Sequence, residues 1–212
     1  MKSNLNLNFF IKKYVIKREE SLFNNDLLIH NNDLQNEINN KSVLVIGGAG
    51  TIGSSYIKAL LKFKPIKLII VDINENGLTE LVRDLRSSKS LNIPNKIITY
   101  PVDFGDKIFE KIFKNHGPFE IVANFAAHKH VRTEKDVYSI EAMIQNNVLK
   151  LRRLLRLLLK SPPNHFFCVS SDKATNPINI MGASKKLMEE LIMAYSSELP
   201  VKTARFANVA FS

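Results

Sequence analysis

The chain has 212 residues, of which 45% are hydrophobic and 24% charged, the composition of a folded globular protein with one sizeable core rather than of a disordered chain. Thirty Lys and Arg against twenty Asp and Glu give a formal net charge of +10, which favours phosphate-bearing ligands. The basic residues, Lys12, Lys13, Lys17, Arg152, Arg153 and Arg156 among them, are scattered without the aromatic interleaving of a base-stacking surface, so they read as a solvated face and no nucleic-acid partner is expected.

Residues 1–40 are rich in Asn and Lys. Within them Phe9, Phe10, Tyr14, Leu22, Phe23, Leu27 and Leu28 recur at a spacing that predicts one or two amphipathic helices, an N-terminal helical extension. Residues 1–10 lack the apolar core and small-residue cleavage site of a signal peptide. From Lys41 onward short β-rich runs alternate with helical patterns, the signature of βαβ units. Strands are predicted at 42–46, 67–72, 96–100, 120–125, 165–170 and 201–206, and helices near 52–63, 75–87, 106–115, 137–159 and 181–197. Residues 41–212 are thereby read as an α/β, Rossmann-like doubly wound parallel sheet, with the ends of strands one and five side by side. No apolar run approaches the length that spans a bilayer, so no membrane partner is expected. The single cysteine, Cys168, lies in the fifth strand with no disulfide partner, which fits a reducing, cytoplasmic setting. The sixth strand ends a few residues before Ser212, and the structure that would cover a second substrate is expected to be largely absent.

The first strand runs into Gly47, Gly48, Ala49, Gly50, Thr51, Ile52 and Gly53, and a helical pattern follows at once. Gly47 allows a tight turn, Gly50 removes a side chain where a pyrophosphate approaches the backbone, and Gly53 permits close packing of helix on strand. Free amides at the helix start, those of Thr51 and Ile52 included, then face the phosphates. Asp72 ends the second strand roughly twenty residues on, where a carboxylate binds the adenosine ribose hydroxyls. A carboxylate there repels a ribose 2′-phosphate, so NAD is favoured over NADP unless Arg83 or Arg86 compensates. Asp103, after the third strand, is placed for an adenine-edge contact, with a cap for the helix from Asp106 as the other reading.

The glycine spacing, the run Asn124-Phe125-Ala126-Ala127-His128-Lys129-His130-Val131 and the run Ser170-Ser171-Asp172-Lys173-Ala174 resemble the extended short-chain dehydrogenase/reductase family. Asn176-Pro177-Ile178-Asn179-Ile180-Met181-Gly182-Ala183-Ser184-Lys185 and Ala204-Arg205-Phe206-Ala207-Asn208-Val209 resemble its CapD-like polysaccharide-biosynthesis branch, the UDP-N-acetylglucosamine 4,6-dehydratases. The resemblance runs from about Lys41 to the last residue. Even the N-terminal segment is similar to a soluble, membrane-free subgroup linked to legionaminic-acid-type sugar synthesis. Most relatives in the wider family have Tyr where this chain has Met181, followed by the lysine matching Lys185. A thioether can neither accept nor donate the sugar hydroxyl proton, and the CapD-like branch is similar in having Met there.

The resemblance implies a nucleotide-activated N-acetylhexosamine, carried on UDP or GDP, as substrate. It implies Asp172 as the acid for the leaving O6, Lys173 as the base for the C5 proton, Ser171 on the C4 oxygen and Lys185 on the nicotinamide ribose. Ala126 and Ala127 are implied in cofactor binding, and Lys129 and Asn208 in substrate binding. For these roles burial must raise the pKa of Asp172 and lower that of Lys173, while their opposite charges act the other way. Asn147 is read as fixing the active-site backbone. His128 and His130 lack a third ligand at metal spacing, so no metal is assigned. Helices 137–159 and 181–197 are the pair that relatives use to form a homo-oligomer, with Leu151, Leu154, Leu155, Leu158 and Leu159 either on that interface or in the core. The competing readings are a nucleotide-sugar 4-epimerase or reductase on the same fold, and a cofactor-binding fragment without turnover of its own.

Overall fold

The computed structural model describes residues 7–17, 20, 22–88, 91–128 and 134–209. The chain divides into two compact units, Met1–Glu37 and Ile38–Ser212. The first contains α1 (Leu7–Phe10) running into a π-helical turn at Ile11–Val15, then α2 (Asn24–Ile29) and most of α3 (Asn31–Ile38). The one or two predicted helices are thus broken into shorter pieces. Asn24 and Asn31 each begin a helix, in keeping with the tendency of Asn side chains to compete for backbone hydrogen bonds and to start helices more readily than extend them. Phe9, Phe10, Tyr14, Leu22, Phe23 and Leu28 are exposed.

The second unit is built on six parallel strands: β1 (Ser42–Ile46), β2 (Lys67–Asp72), β3 (Lys96–Pro101), β4 (Ile121–Asn124), β5 (His165–Ser171) and β6 (Val201–Phe206). They lie in the order β3-β2-β1-β4-β5-β6. Every residue of β1 is buried, as expected of a parallel strand covered on both faces. Leu44 and Ile46 point with Ile69, Val71, Val122 and Phe166 toward α6 (Lys107–His116), α8 (Lys150–Lys160) and α9 (Ile180–Ala194). Val43 and Val45 point with Leu68, Ile70 and Ile121 toward α4 (Thr51–Leu60) and α5 (Glu75–Ser87). Leu151, Leu154, Leu155 and Leu158 are buried in the first of these layers and Leu159 packs against it, so the leucine stripe of α8 serves the core and is not available to a second copy.

Helix starts follow the side chains that can cap them. Asn74 accepts from the Gly77 amide at 2.9 Å, Asp136 from Ser139 at 2.8 Å ahead of α7 (Val137–Ile144), and Asn179 from Gly182 at 2.8 Å. The predicted helix 137–159 is interrupted by a π-helical turn at Gln145–Leu149 between α7 and α8.

Strand order corrects one expectation. β4 pairs with both β1 and β5, with Ile46 opposite Asn124 and Asn124 opposite Cys168. The ends of strands one and five are therefore separated by a whole strand. Since the sheet reverses its order of growth at β1 and β4, the crevice opens there, and groups at the end of β5 reach it across the end of β4.

Candidate cofactor cleft and active site

A cleft of about 530 Å³ lies at the carboxyl ends of the strands, lined by the ends of β1, β2, β5 and β6 and by the segments after β1, β3, β4 and β6. Its floor is the glycine turn. Gly47 has φ +75°, and a Cβ on it would meet the Ala126 nitrogen at 2.4 Å. A Cβ on Gly53 would stand 2.2 Å from the Gly47 carbonyl oxygen. Both positions need glycine for chain packing alone. Gly50 differs: a Cβ there would meet only the Gly47 oxygen, at 3.5 Å, and would otherwise project into open space. Gly50, Thr51, Ile52 and Gly53 all line the cleft at the start of the ten-residue α4, so its first-turn amides and positive dipole end face that space.

Asp72 lines the same cleft at the end of β2. Its Oδ2 accepts from the Ala49 amide at 2.9 Å and its Oδ1 from the Asn74 amide at 3.0 Å, which fixes the carboxylate against the turn. Arg83 and Arg86 are exposed and do not line the cleft, and Arg83 is paired with Glu80 at 2.6 Å. Asp103 also lines the cleft, but it accepts from the Gly105 amide at 2.8 Å and is ion-paired with Lys150. Its carboxylate thus meets a turn amide and a cation on the cleft wall, and Asp106 occupies the N-cap position of α6 without a capping bond from its side chain.

Beyond β4 the wall is Phe125, Ala126, Ala127 and His128. Asn124 Oδ1 accepts from the Ala126 amide at 3.0 Å. Asn147, only 2% exposed, accepts from the His128 amide at 2.8 Å, donates to the His128 carbonyl at 3.0 Å and donates to the Ser184 hydroxyl at 3.0 Å. The π-helical turn is what aims this amide inward, and its contacts match the backbone-fixing role read from the sequence. Burial, then the Lys150 charge, lowers the pKa of His128 against an opposing pull from Asp103, so the ring is neutral near pH 7. Lys129 and His130 lie outside the described residues.

The end of β5 brings the other candidates together. Ser171 and Lys173 line the cleft with Asn208 from the segment after β6. Lys173 Nζ lies 3.2 Å from Asp172 Oδ1 and donates to Asn208 Oδ1 at 3.3 Å. Ser171 Oγ accepts from the Lys173 amide at 3.3 Å and donates to Asp172 Oδ1 at 2.9 Å. Asp172 itself is not on the wall, and half of its side chain is exposed. Its carboxyl is held below the usual range, first by the Ser171 hydroxyl and then by Lys173. The expected raising of its pKa by burial is therefore not met, because the side chain faces solvent.

Met181, 1% exposed, and Lys185, 3% exposed, follow one turn apart on α9 and both line the cleft. The Met181 amide donates to Glu134 Oε1 at 2.5 Å. Lys185 Nζ donates to the Val169 carbonyl at 3.3 Å and lies 3.6 Å from Met188 Sδ, and burial lowers its pKa. Glu134 and Ser184 were not singled out by sequence; each follows from a contact between distant segments that spacing does not reveal. Among the described residues no group of three or more His, Cys, Asp or Glu could hold a metal ion, and no helix is long and apolar enough to cross a membrane.

The residues fit a dinucleotide. The open side of Gly50 and the amides of α4 suit a pyrophosphate, Asp72 stands at the second strand end, and Lys185 presents a buried amino group to the same cleft. Sheet order, glycine turn and buried lysine together define a Rossmann-type fold of the short-chain dehydrogenase kind. Residues 43–212 match the family described as polysaccharide biosynthesis protein. The chain belongs to that CapD/EpsC-like family, a branch of the extended short-chain dehydrogenases.

Among similar proteins are the probable polysaccharide biosynthesis protein EpsC of Bacillus subtilis, 30% identical over 92% of this chain and 32% of its own length. A UDP-N-acetylglucosamine 4,6-dehydratase (inverting) of Campylobacter jejuni is 28% identical over 80% of this chain and 48% of its own. A UDP-glucose 4-epimerase of Rickettsia massiliae is 30% identical over 81% and 50%. Pen from Bacillus thuringiensis superposes with a TM-score of 0.71 at 25% identity, over 83% of this chain and 54% of that one. WbmF of Bordetella bronchiseptica in complex with NAD+ shares the fold at TM-score 0.62 and 21% identity, over 81% and 51%. The chain spans about a third to a half of the length of these relatives.

Proposed function

We propose that this chain is the cofactor-binding half of an NAD-dependent nucleotide-sugar 4,6-dehydratase acting on a UDP- or GDP-linked N-acetylhexosamine in polysaccharide or glycan biosynthesis. The observation that carries the reading is Met181, buried on the cleft wall one turn before Lys185, together with the Ser171-Asp172-Lys173 cluster at the end of β5. Oxidising a sugar hydroxyl releases a proton that the Met181 thioether cannot take, so another group beside the cleft must accept it. A dehydratase also needs an acid and a base, and both groups are supplied beside the cleft. Similarity to the C. jejuni dehydratase supports the same reading.

When bound, NAD+ supplies temporary storage for the two electrons taken from C4 and returned to C6. In the proposed scheme Lys185 holds the nicotinamide ribose and Ser171 donates to the C4 oxygen; Asp172 takes the C4 hydroxyl proton as C4 is oxidised and gives it to O6 as water leaves, while Lys173 removes the C5 proton made acidic by the C4 ketone and returns it to C5 when C6 is reduced. Ser171 has one proton to donate. When it turns from Asp172 to the sugar, Asp172 loses the partner that holds its pKa down most, and solvent displaced by the sugar raises it further. Both changes move Asp172 toward the acid form that its role requires.

Incubating the chain, and a version that continues past Ser212, with UDP-N-acetylglucosamine and NAD+ tests the proposal. The expected product is lighter by one water and carries a 4-keto group. The second reading, a 4-epimerase, is favoured by the similarity to the Rickettsia enzyme and predicts a product of unchanged mass. A fragment that binds NAD+ without turnover gives neither product.

A further inference from the structure

Asp72 and Asp103 lie at neighbouring strand ends. β2 and β3 pair with Asp72 opposite Pro101, and Asp103 follows two residues later on the cleft wall. A ribose bound at Asp72 therefore leaves its base beside the end of β3. The Asp103 carboxylate offers roughly four lone-pair directions, of which the Gly105 amide takes one at Oδ1 and the Lys150 ammonium one at Oδ2. The remaining lone pairs can accept from the exocyclic amino group of an adenine. Lys150 itself does not line the cleft. It is the first residue of α8, directly after the π-helical turn, and reaches Asp103 from outside the cleft. Its stem runs over Gly105: a Cβ on that glycine would stand 2.7 Å from both Cγ and Cδ of Lys150. Arg153, one turn on along α8, donates to the Gly105 carbonyl at 3.3 Å. The ion pair is only partly exposed, 23% for the lysine side chain and 29% for the aspartate, so solvent and salt screen it less than a surface pair. Removing the cation leaves the carboxylate with the Gly105 amide as its anchor.

We propose that Lys150 is a positioning residue for adenine recognition: it holds the Asp103 carboxylate in place after β3, so that a free lone pair meets the amino group of the base, and it does so without touching the cofactor. The inference rests on the reading that the chain binds NAD+ with its adenine edge at Asp103.

The test is a ratio of dissociation constants, measured by calorimetry on the full chain, between NAD+ and its analogue carrying unsubstituted purine in place of adenine. The analogue lacks only the amino group, so a variant that merely loosens the cleft weakens both ligands alike and leaves the ratio unchanged. Wild type is expected to bind NAD+ about tenfold more tightly than the analogue, the size of a hydrogen bond to a charged group. Lys150→Met keeps a stem over Gly105 but loses the cation, and its ratio falls to about threefold or less. Lys150→Arg restores a cation and recovers the preference. Where Lys150→Met does not fold, Gly105→Ala serves instead: it displaces the lysine stem while keeping the backbone amide, and its ratio falls likewise. An unreduced ratio in Lys150→Met, or in Gly105→Ala where the first variant is lost, overturns the role of Lys150. A ratio near one in wild type, or an unreduced ratio in Asp103→Ala, instead overturns the adenine contact at Asp103, so the two failures are distinguishable. Absence of NAD+ binding in wild type overturns the cofactor reading on which both depend.

Discussion

Ser171 donates its hydroxyl proton to Asp172 Oδ1 at 2.9 Å, and this bond is the first cause of the low pKa of that carboxyl. Ser171→Ala is therefore expected to raise the Asp172 pKa toward the ordinary carboxylate range, with Lys173 still holding it partly down. A carboxyl held low in the folded state stabilises the fold above its unfolded pKa, and that contribution is lost as pH falls through the folded value. The stability gap between wild type and Ser171→Ala should accordingly narrow in acid. Carbon-13 titration of the Asp172 carboxyl, with urea unfolding at neutral and acid pH, checks both statements. An unchanged titration would show that Lys173 alone sets it.

Two glycines of the same turn should fail in different ways. Gly53→Ala places a Cβ 2.2 Å from the Gly47 oxygen and is expected to cost about 1–3 kcal/mol of stability, as overpacking does. Gly50→Ala has room for its Cβ within the protein, so its unfolding midpoint should stay near that of the wild type while NAD+ affinity falls at least tenfold. Thermal unfolding and calorimetry on both variants separate the two effects.

Asn147→Ala removes two bonds to the His128 backbone and one to Ser184 from a site that is 2% exposed. Leaving a buried backbone amide or carbonyl without its partner costs about 1–3 kcal/mol, and urea unfolding should report a loss of that size. Asn147→Asp keeps the acceptor for the His128 amide but loses both donated bonds, so it should recover only part of it.

Asp72→Asn keeps the shape of the side chain and removes its negative charge. NAD+ affinity should fall and the preference over NADP+ should narrow, because the repulsion of a 2′-phosphate disappears while Arg83 and Arg86 stand clear of the cleft. Competition titrations with the two cofactors measure the ratio directly.

Much of this architecture could be read in the sequence because the strands of a doubly wound sheet are short apolar runs bounded by turn residues. The bounds of β1, β2 and β6 agree with expectation residue for residue, as does α5, whose Asn74 cap stands one position before its first turn. The glycine turn was legible because Gly47 and Gly53 answer to steric demands of the chain itself and Gly50 leaves a space on the cleft side. What periodicity could not show was a change of helical pitch. Residues 137–159 keep an apolar stripe throughout, and only the π-helical turn reveals why Asn147 points inward. Charges were harder still: no local spacing shows that Asp103, which lines the cleft, is ion-paired with Lys150, 47 residues away. Asp172 reads as buried until the end of β5 turns it toward solvent. The Glu189 and Arg205 pair joins α9 to β6 across a register that no local spacing encodes.

Asp172 is proposed to act on the sugar and not on the cofactor. The most direct test is Asp172→Asn, compared with wild type in an active form of the protein, scored for NAD+ affinity and for loss of water from UDP-N-acetylglucosamine. The expected result is an NAD+ dissociation constant within about twofold of the wild-type value, well under 1 kcal/mol, together with no detectable 4-keto product. Dehydration at the wild-type rate in the variant, or loss of NAD+ binding in it, would rule out that role for Asp172.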